Sequence, residues 1–578
     1  MTSCPVKNIN IGVLGHVDSG KTSLCKRLST VASTACFDKN PQSQERGITL
    51  DLGFSSFMLP LNTQEGITLP SEIQVTLVDC PGHASLIRTI IGGASIIDLI
   101  ILVVDAQKGV QTQTAECMVL AEILSSSSLE KMRLVVVLNK TDLFPKQSRV
   151  EKVEKMKKKL RATFRQTVFG ENVELVPFSC NEEDQNEVDE ASKVNGNLSD
   201  ILKVYVIEAI RTRLEMSKAG NASEQFMFAV DHCFSIKGQG TVMTGTCLLG
   251  KTSVNDKIEI ASLSMEKKVK SIQVFRKPVT SIQKGDRAGI CVTQFESSAL
   301  ERGLVCYPGL LRNIYGCIMR LHKVRFFKGS IASNSKFHVV VGHETVMAKV
   351  TLFSSTSQDQ KTFDESKEYQ FCSEFSEIEP ENTSKTNGPV FMLLQFEKPI
   401  LSSPNSILIG SKLDSDILSN TCRIAFYGKP DVVFHEANYS ETFLSNLKVF
   451  KPKQKQGAID RIFSEDSVIC KNMLKKETNI EKFLRLKVDF STGDKGIIIG
   501  GFGQGGKLKI QITGAQMSEA LKSSGPVKRN KNDKNSLAPE LGDPELSSFS
   551  SADKTPVVVT LRFKKMIFAG SNSNKIVQ

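Results

Sequence analysis

An apolar run ending at Leu14 is followed directly by Gly15-His16-Val17-Asp18-Ser19-Gly20-Lys21-Thr22, and this succession constrains the fold more than any other feature of the chain. A strand, a glycine loop and a helix in that order make the phosphate-binding turn of an α/β sheet. Gly15 and Gly20 let the backbone curl its amides around an anion. A helix opening near Lys21 adds the positive end of its dipole. Lys21 is placed to reach β- and γ-phosphate oxygens and Thr22 to ligate Mg²⁺, with Asp18, Ser19 and Ser23 completing the loop. A glycine turn without a ligand would read the same way, so the assignment depends on partner motifs further along the chain.

Three such motifs occur in order. Residues 75–78 are a second apolar strand ending in Asp79, which suits Mg²⁺ coordination through water, and Gly82 offers its amide to the γ-phosphate. Thr49 lies in a polar segment and can ligate the same metal only with GTP bound, so residues 31–56 are expected to switch between order and disorder. Residues 134–138 form a third strand leading to Asn139-Lys140-Thr141-Asp142, at the carboxyl edge where open parallel sheets place ligands. The Asp142 carboxylate matches the two N–H donors of guanine, which adenine lacks, while Asn139 and Lys140 support the loop. Residues 176–178 end a fourth strand before Ser179-Cys180-Asn181, a departure from the usual Ser-Ala-Lys or Ser-Ala-Leu of the guanine site. Together the motifs predict a GTP-hydrolysing switch that takes GTP/GDP and Mg²⁺.

Asp79-Cys80-Pro81-Gly82-His83 resembles the translational GTPases of the elongation factor Tu and 1A type, whereas signalling GTPases carry glutamine at the last position. The resemblance implies that His83 is the catalytic residue. It also implies that Val17 and Ile48 form a hydrophobic gate, which holds His83 from the attacking water until the ribosome repositions it. Residues 226–311 alternate apolar and polar residues in short runs, the pattern of a small β-barrel, and contain Gly240-Thr241-Val242-Met243-Thr244-Gly245, a phrase found in the second domain of those factors. Residues 312–428 repeat the short-strand pattern and fit a third domain, and the chain then continues for roughly 150 residues, by the domain-size prior about one further unit.

That extension, with Asp231-His232 and Gly285-Asp286-Arg287, narrows the resemblance to the selenocysteine-specific elongation factors. Their fourth domain is similar to the segments Phe463-Ser464-Glu465-Asp466-Ser467-Val468-Ile469, Lys475-Lys476-Glu477-Thr478-Asn479-Ile480 and Gly503-Gln504-Gly505-Gly506-Lys507. The family implies a carrier of selenocysteinyl-tRNA to the ribosome at recoded UGA codons, with Asp231, His232 and Arg287 forming the selenocysteinyl pocket. It further implies that a separate protein reads the insertion element of the message, and that the extension meets that protein, the element, the tRNA or the ribosome. GDP is expected to leave without a dedicated exchange factor. Two alternatives stay open: the γ subunit of initiation factor 2, which often carries a cysteine-ligated zinc knuckle that this chain lacks, and a GTP-regulated RNA-binding scaffold.

The expected architecture is multidomain: an α/β phosphate-loop GTPase domain over residues 1–216, β-barrel domains over 217–311 and 312–429, and a mostly β C-terminal domain over 430–578. Residues 354–388 and 522–555 are polar and predicted to be long loops, and 182–197 an acidic loop before a helix over 198–213. The formal charge is +12, and residues 431–578 hold 24 Lys and Arg against 16 Asp and Glu, a surplus of eight. Clusters such as Lys448, Lys451, Lys453 and Lys455, or Lys528-Arg529-Asn530-Lys531, suit RNA phosphates or plain solvated surface; residues 528–534 also match a weak nuclear-import pattern. The 14 cysteines form no C-x-x-C pair, which fits a reducing cytosol and leaves a zinc ribbon unsupported. The apolar run at residues 96–104 is too short to cross a bilayer, no signal peptide is read before the first strand, and a monomer is expected.

Overall fold

A computed structural model describes residues 8–32, 53–61, 71–80, 97–127, 133–179, 190–218, 225–274, 277–342, 344–375, 388–402, 406–412, 422–503, 505–514, 517–522, 557–568 and 576–578. The first unit is built on seven strands: β1 (Asn8–Gly15), β2 (Val31–Ala32), β3 (Gly53–Pro60), β4 (Glu72–Asp79), β5 (Leu99–Asp105), β6 (Arg133–Asn139) and β7 (Glu174–Pro177). Their order is β2-β3-β4-β1-β5-β6-β7, parallel from β4 to β7, with β2 and β3 antiparallel at one edge. Helices Lys21–Leu28, Thr112–Ser127, Arg149–Phe164 and Glu190–Lys218 accompany it. Strands covered on both faces need unbroken apolar side chains, and Leu99 to Val104 are all within 1% of full burial. The last helix begins at Glu190, inside the segment expected to be a loop, and runs to Lys218.

The second unit holds β8 (Met227–Ile236), β9 (Gly240–Leu249), β10 (Lys251–Ser253), β11 (Lys257–Ile260), β12 (Met265–Val274), β13 (Lys277–Val279), β14 (Ser281–Gln283), β15 (Arg287–Val292) and β16 (Gly303–Cys306). Strands β11-β16-β8-β9-β15-β12 close on themselves through β11–β12, which makes the predicted barrel. Inside it lie Phe228, Met243, Ile260, Val269, Ile290 and Val305. Gly245 closes the Gly-Thr-Val-Met-Thr-Gly phrase, and a Cβ there would sit 1.9 Å from the Ala229 carbonyl oxygen, so only glycine fits.

The third unit runs from β17 (Asn313–Arg320) through β18 (His322–Lys323), β19 (Ile331–Ala332), β20 (Lys336–Val341), β21 (Glu344–Ser355), β22 (Tyr369–Cys372), β23 (Glu374–Phe375), β24 (Val390–Leu401), β25 (Leu408–Ser411), β26 (Ile424–Gly428) and β27 (Pro430–Phe434). Two expectations are corrected by this unit. Part of the segment read as a loop over 354–388 is packed structure: residues 369–372 and 374–375 are strands, Tyr369 is fully buried against Phe353, Phe363 and Phe391, and its hydroxyl donates to the Asp364 carbonyl at 2.8 Å. Three aromatics, Phe363, Tyr369 and Phe371, supply the apolar area that the polar composition concealed. The seam with the extension also lies beyond residue 429, because β27 pairs with β17 and Phe434, Leu444 and Leu447 share a core with Ile318 and Phe353.

The fourth unit contains β28 (Val449–Ser464), β29 (Ser467–Lys471), β30 (Lys487–Phe490), β31 (Lys495–Phe502), β32 (Lys507–Ile512), β33 (Val558–Met566) and β34 (Ile576–Val577). Strands β28-β29-β32-β31-β30-β33 close through β28–β33 into a further six-stranded barrel. It is joined to the third unit by a parallel pairing of β22 with β28 and by an ion pair between Lys564 and Glu368 at 2.5 Å.

The GTPase unit and the third unit share one continuous core. Within that seam Arg423 embraces Glu116, Nε to Oε1 at 3.0 Å and Nη2 to Oε2 at 3.1 Å, with both side chains about 95% buried. Removing one partner strands a buried charge, which costs about 3–5 kcal/mol, whereas replacing both with apolar groups is often neutral. Glu116→Ala should therefore lower the midpoint of the first urea transition, and adding Arg423→Met should restore most of it. Equal midpoints for the wild type and the single variant would show the pair to be energetically idle.

Candidate functional site

The phosphate loop leaves β1 with Gly15 at φ +150 and enters the helix from Gly20 at φ +91. A Cβ on Gly15 would meet the Val103 carbonyl oxygen at 2.4 Å, and one on Gly20 would meet Asn139 Nδ2 at 2.1 Å. Both glycines are thus demanded by conformation and by space. Asn139 Nδ2 donates to the Ser19 carbonyl at 2.9 Å, which ties the base-reading motif to the phosphate loop. Asp18, exposed at the loop tip, takes a left-handed φ of +59. Lys21 is 6% exposed and donates from Nζ to the His16 carbonyl at 2.7 Å. Burial lowers its pKa, partly opposed by the carboxylate of Asp79.

Thr22 Oγ1 donates to Asp79 Oδ2 at 2.6 Å, so the two described residues assigned to the metal stand side by side. A hydroxyl and a carboxylate oxygen are the hard donors that Mg²⁺ takes when phosphates and water complete its shell, and bound there it would supply charge neutralisation for β- and γ-phosphate oxygens. Ser23 comes next in the first turn of the helix and is exposed. The Val17 amide donates to Gln113 Oε1 at 3.1 Å, which anchors one side of the expected gate. Ile48, Thr49, Gly82, His83 and Cys180 lie outside the described residues.

At the base-reading edge Lys140 adopts φ +63 and its Nζ lies 3.1 Å from Asp105 Oδ2. Burial raises the pKa of Asp105, but bonds from Lys140 and from the Gln107 and Lys108 amides outweigh it and hold the carboxyl below its ordinary value. Asp105 was not among the sequence candidates, although it ends an apolar strand as Asp79 does. Ser179 Oγ donates to Asp142 Oδ1 at 3.0 Å, so the two residues expected at the guanine site are in direct contact despite the departure from the usual motif.

Asp231, His232 and Arg287 lie on the second barrel, where the β8–β9 register slips between Val230 and His232. A bulge re-aims the side chains beside it, and Asp231 reaches Arg287 Nη1 at 2.5 Å. The same nitrogen lies 3.3 Å from Thr246 Oγ1. The guanidinium carbon sits 3.2 Å from the ring centroid of Phe54, which comes from β3 of the GTPase unit. Asp231 is therefore engaged by Arg287, although its neighbour in the chain is His232. His232 lines a cavity of about 320 Å³ together with Asp231, Cys233, Ser297, Leu300, Glu301 and Arg302, and its buried Nδ1 has no hydrogen-bond partner among the described residues. Nothing in the sequence pattern singled out Phe54, Thr246 or the cavity wall, because their roles arise from register and from contact between units. A polar seam holds those units together: Asn8 and Asn10 both donate to the Gly285 carbonyl, at 3.0 and 3.1 Å.

Residues 6–234 match the elongation factor Tu GTP binding domain, 318–428 the third domain of eukaryotic selenocysteine-specific elongation factors, and 445–572 the eEFSec C-terminal RIFT domain. A selenocysteine-specific elongation factor of Mus musculus is 44% identical over 586 aligned residues that cover 97% of each chain. The chain belongs to the selenocysteine-specific elongation factors. A Methanocaldococcus jannaschii member is 31% identical, covering 88% of this chain and 94% of its own. The crystal structure of translation elongation factor SelB from Methanococcus maripaludis with the GTP analogue GPPNHP shares the fold, with a TM-score of 0.64 and 23% identity over 98% of this chain and 100% of that one.

As a selenocysteine-specific elongation factor the chain is a translational GTPase. The bond from Ser179 to Asp142 sharpens one expectation about base choice. In Asp142→Asn one carboxylate oxygen becomes a donor, which suits the altered edge of xanthine. GTP affinity should fall by about tenfold or more, from a paired-contact worth of about 1–3 kcal/mol, and xanthosine triphosphate should gain. Competition binding with the two nucleotides reads this directly, and unchanged GTP affinity would remove Asp142 from the base site.

Proposed function

We propose that the chain binds selenocysteinyl-tRNA in its GTP form, delivers it to the ribosomal A site at recoded UGA codons, and hydrolyses GTP there. The observation that carries this reading is Arg287, a guanidinium held by Asp231 under Phe54 on the barrel of the second unit, with Asp231 lining one cavity together with His232. Selenocysteine differs from serine in one atom, but its selenol is largely ionised at neutral pH, so charge is the useful handle. A permanently charged guanidinium with several N–H donors suits that anion, and the imidazole nitrogen adds a polar group that a neutral serine side chain would leave poorly satisfied.

In the GTPase unit, Lys21 and the loop amides would hold the phosphates, while Thr22, Asp79 and Thr49 would hold Mg²⁺. Gly82 would sense the γ-phosphate, and His83 would orient the attacking water behind the Val17 and Ile48 gate. The C-terminal barrel would meet the ribosome, the insertion element of the message, or the protein that reads it. The working form would be a monomer of four units, with the last two divided between residues 434 and 449. Filter retention of selenocysteinyl-tRNA against seryl-tRNA on the same tRNA body, with a GTP analogue bound, tests the reading. Equal retention of the two would overturn it.

A further inference from the structure

Three segments of the C-terminal barrel that stand apart in sequence come together at one place on its outer surface. Phe463, at the end of β28, and Phe502, at the end of β31, meet edge to face with ring centroids 5.7 Å apart. A Cβ on Gly501 would touch Ile480 at 2.7 Å, and one on Gly506 the Leu474 carbonyl oxygen at 2.8 Å, so the 474–480 segment packs beneath the same hairpin. Arg461, Ile469 and Lys509 are neighbours across β28, β29 and β32 on the face opposite the barrel core.

The two cations lie on the two rings. Arg461 Cζ is 4.9 Å from the Phe502 centroid and Lys509 Nζ is 4.2 Å from that of Phe463. Phe463 is 47% exposed. Arg461 Nε is buried with no hydrogen-bond partner among the described residues. Nearby Asp460 is instead engaged by Lys507 at 2.8 Å and Lys471 at 3.5 Å. The hairpin tip beside the rings is glycine-rich, with Gly503 at φ +67 and Gly506 at φ +69, and a Cβ on Gly500, Gly503 or Gly505 would meet nothing within 4 Å. Open glycine backbone lets a ligand approach closely.

We propose that this patch is a platform for unpaired RNA, on which a base stacks on the exposed ring of Phe463, propped edge to face by Phe502, while Arg461 and Lys509 meet the flanking phosphates. Rings interleaved with cations are what single-stranded nucleic acid requires, since every base offers a π-face and every link a negative charge. An apolar protein partner would use the rings and leave the two cations without counter-charge. The unpaired 3′ end of the carried tRNA belongs to the barrel of the second unit under the proposed function, so the occupant is an unpaired stretch of RNA other than that end.

The test uses the full chain and a labelled single-stranded RNA of about twelve nucleotides, with a duplex of the same length as control. Phe463→Ala should weaken single-strand binding about tenfold, from the usual worth of one stacked base, with the salt slope and duplex binding unchanged, and Phe463→Tyr should restore it. Arg461→Gln and Lys509→Gln should each reduce the salt slope by about 0.7. Phe463 is on the surface, so GTP binding and retention of charged tRNA should persist and report intact folding. The proposal is overturned if Phe463→Ala binds single strands as the wild type does, if it loses both RNAs equally, or if RNA affinity is kept while UGA recoding in extract is lost, which would assign the patch to a protein.

Discussion

Replacing Arg287 by alanine is expected to abolish most of the preference for selenocysteinyl-tRNA over seryl-tRNA while leaving GTP affinity alone. The size of the effect comes from its surroundings. Arg287 is 6% exposed, its partner Asp231 is 12% exposed at the side chain, and the ring of Phe54 covers it. Removing the cation withdraws the counter-charge for a selenolate, and loss of one partner of a buried charge pair across an interface costs about 2–5 kcal/mol. That corresponds to a factor of about 30 to several thousand. Arg287→Lys should recover little, since an ammonium lacks the planar fork that spans Asp231 and the ring face together. Full discrimination in Arg287→Ala would place the selenolate elsewhere. A loss of retention for both charged tRNAs alike would make Arg287 a structural residue of the seam.

His83→Ala should bind GTP normally and lose ribosome-stimulated hydrolysis by a factor on the order of 10²–10⁴, the range for a positioned group that handles the nucleophile's proton or lone pair. Phosphoryl transfer rests on positioning and electrostatics, so the residue that orients water has few substitutes. Single-turnover hydrolysis with and without ribosomes separates the outcomes. A uniform fall in both rates would point to damaged nucleotide binding, and unchanged stimulation would remove His83 from the reaction.

The nucleotide site was legible in the residues because its chemistry is local. Gly15 and Gly20 are required by their own φ values and by a neighbouring carbonyl and amide, and Lys21 and Thr22 come after them within one helical turn. The closed barrel around Gly245 was legible for a similar reason: alternation with period two and a glycine at a crowded crossing. The third unit was opaque over 354–375 because one buried and two partly buried aromatics sit among polar residues that face outward, and composition averages the two. Phe54 lies more than 230 positions from Arg287 in the chain, and no spacing rule connects them. Pairing of Asp231 with Arg287 in preference to His232 depends on one bulge in β8, which register alone reveals.

The join between the last two units has a mechanical meaning. A flexible tether would let the C-terminal barrel swing freely and would pass no torque to the rest of the molecule. Here β22 and β28 are strands of one sheet, braced by Lys564 and Glu368, so a push on the barrel turns the third unit with it. From there Arg423 grips Glu116, and on the same helix Gln113 accepts the amide of Val17 in the phosphate loop. A chain of direct contacts therefore runs from the C-terminal barrel to Val17 in the expected phosphate loop.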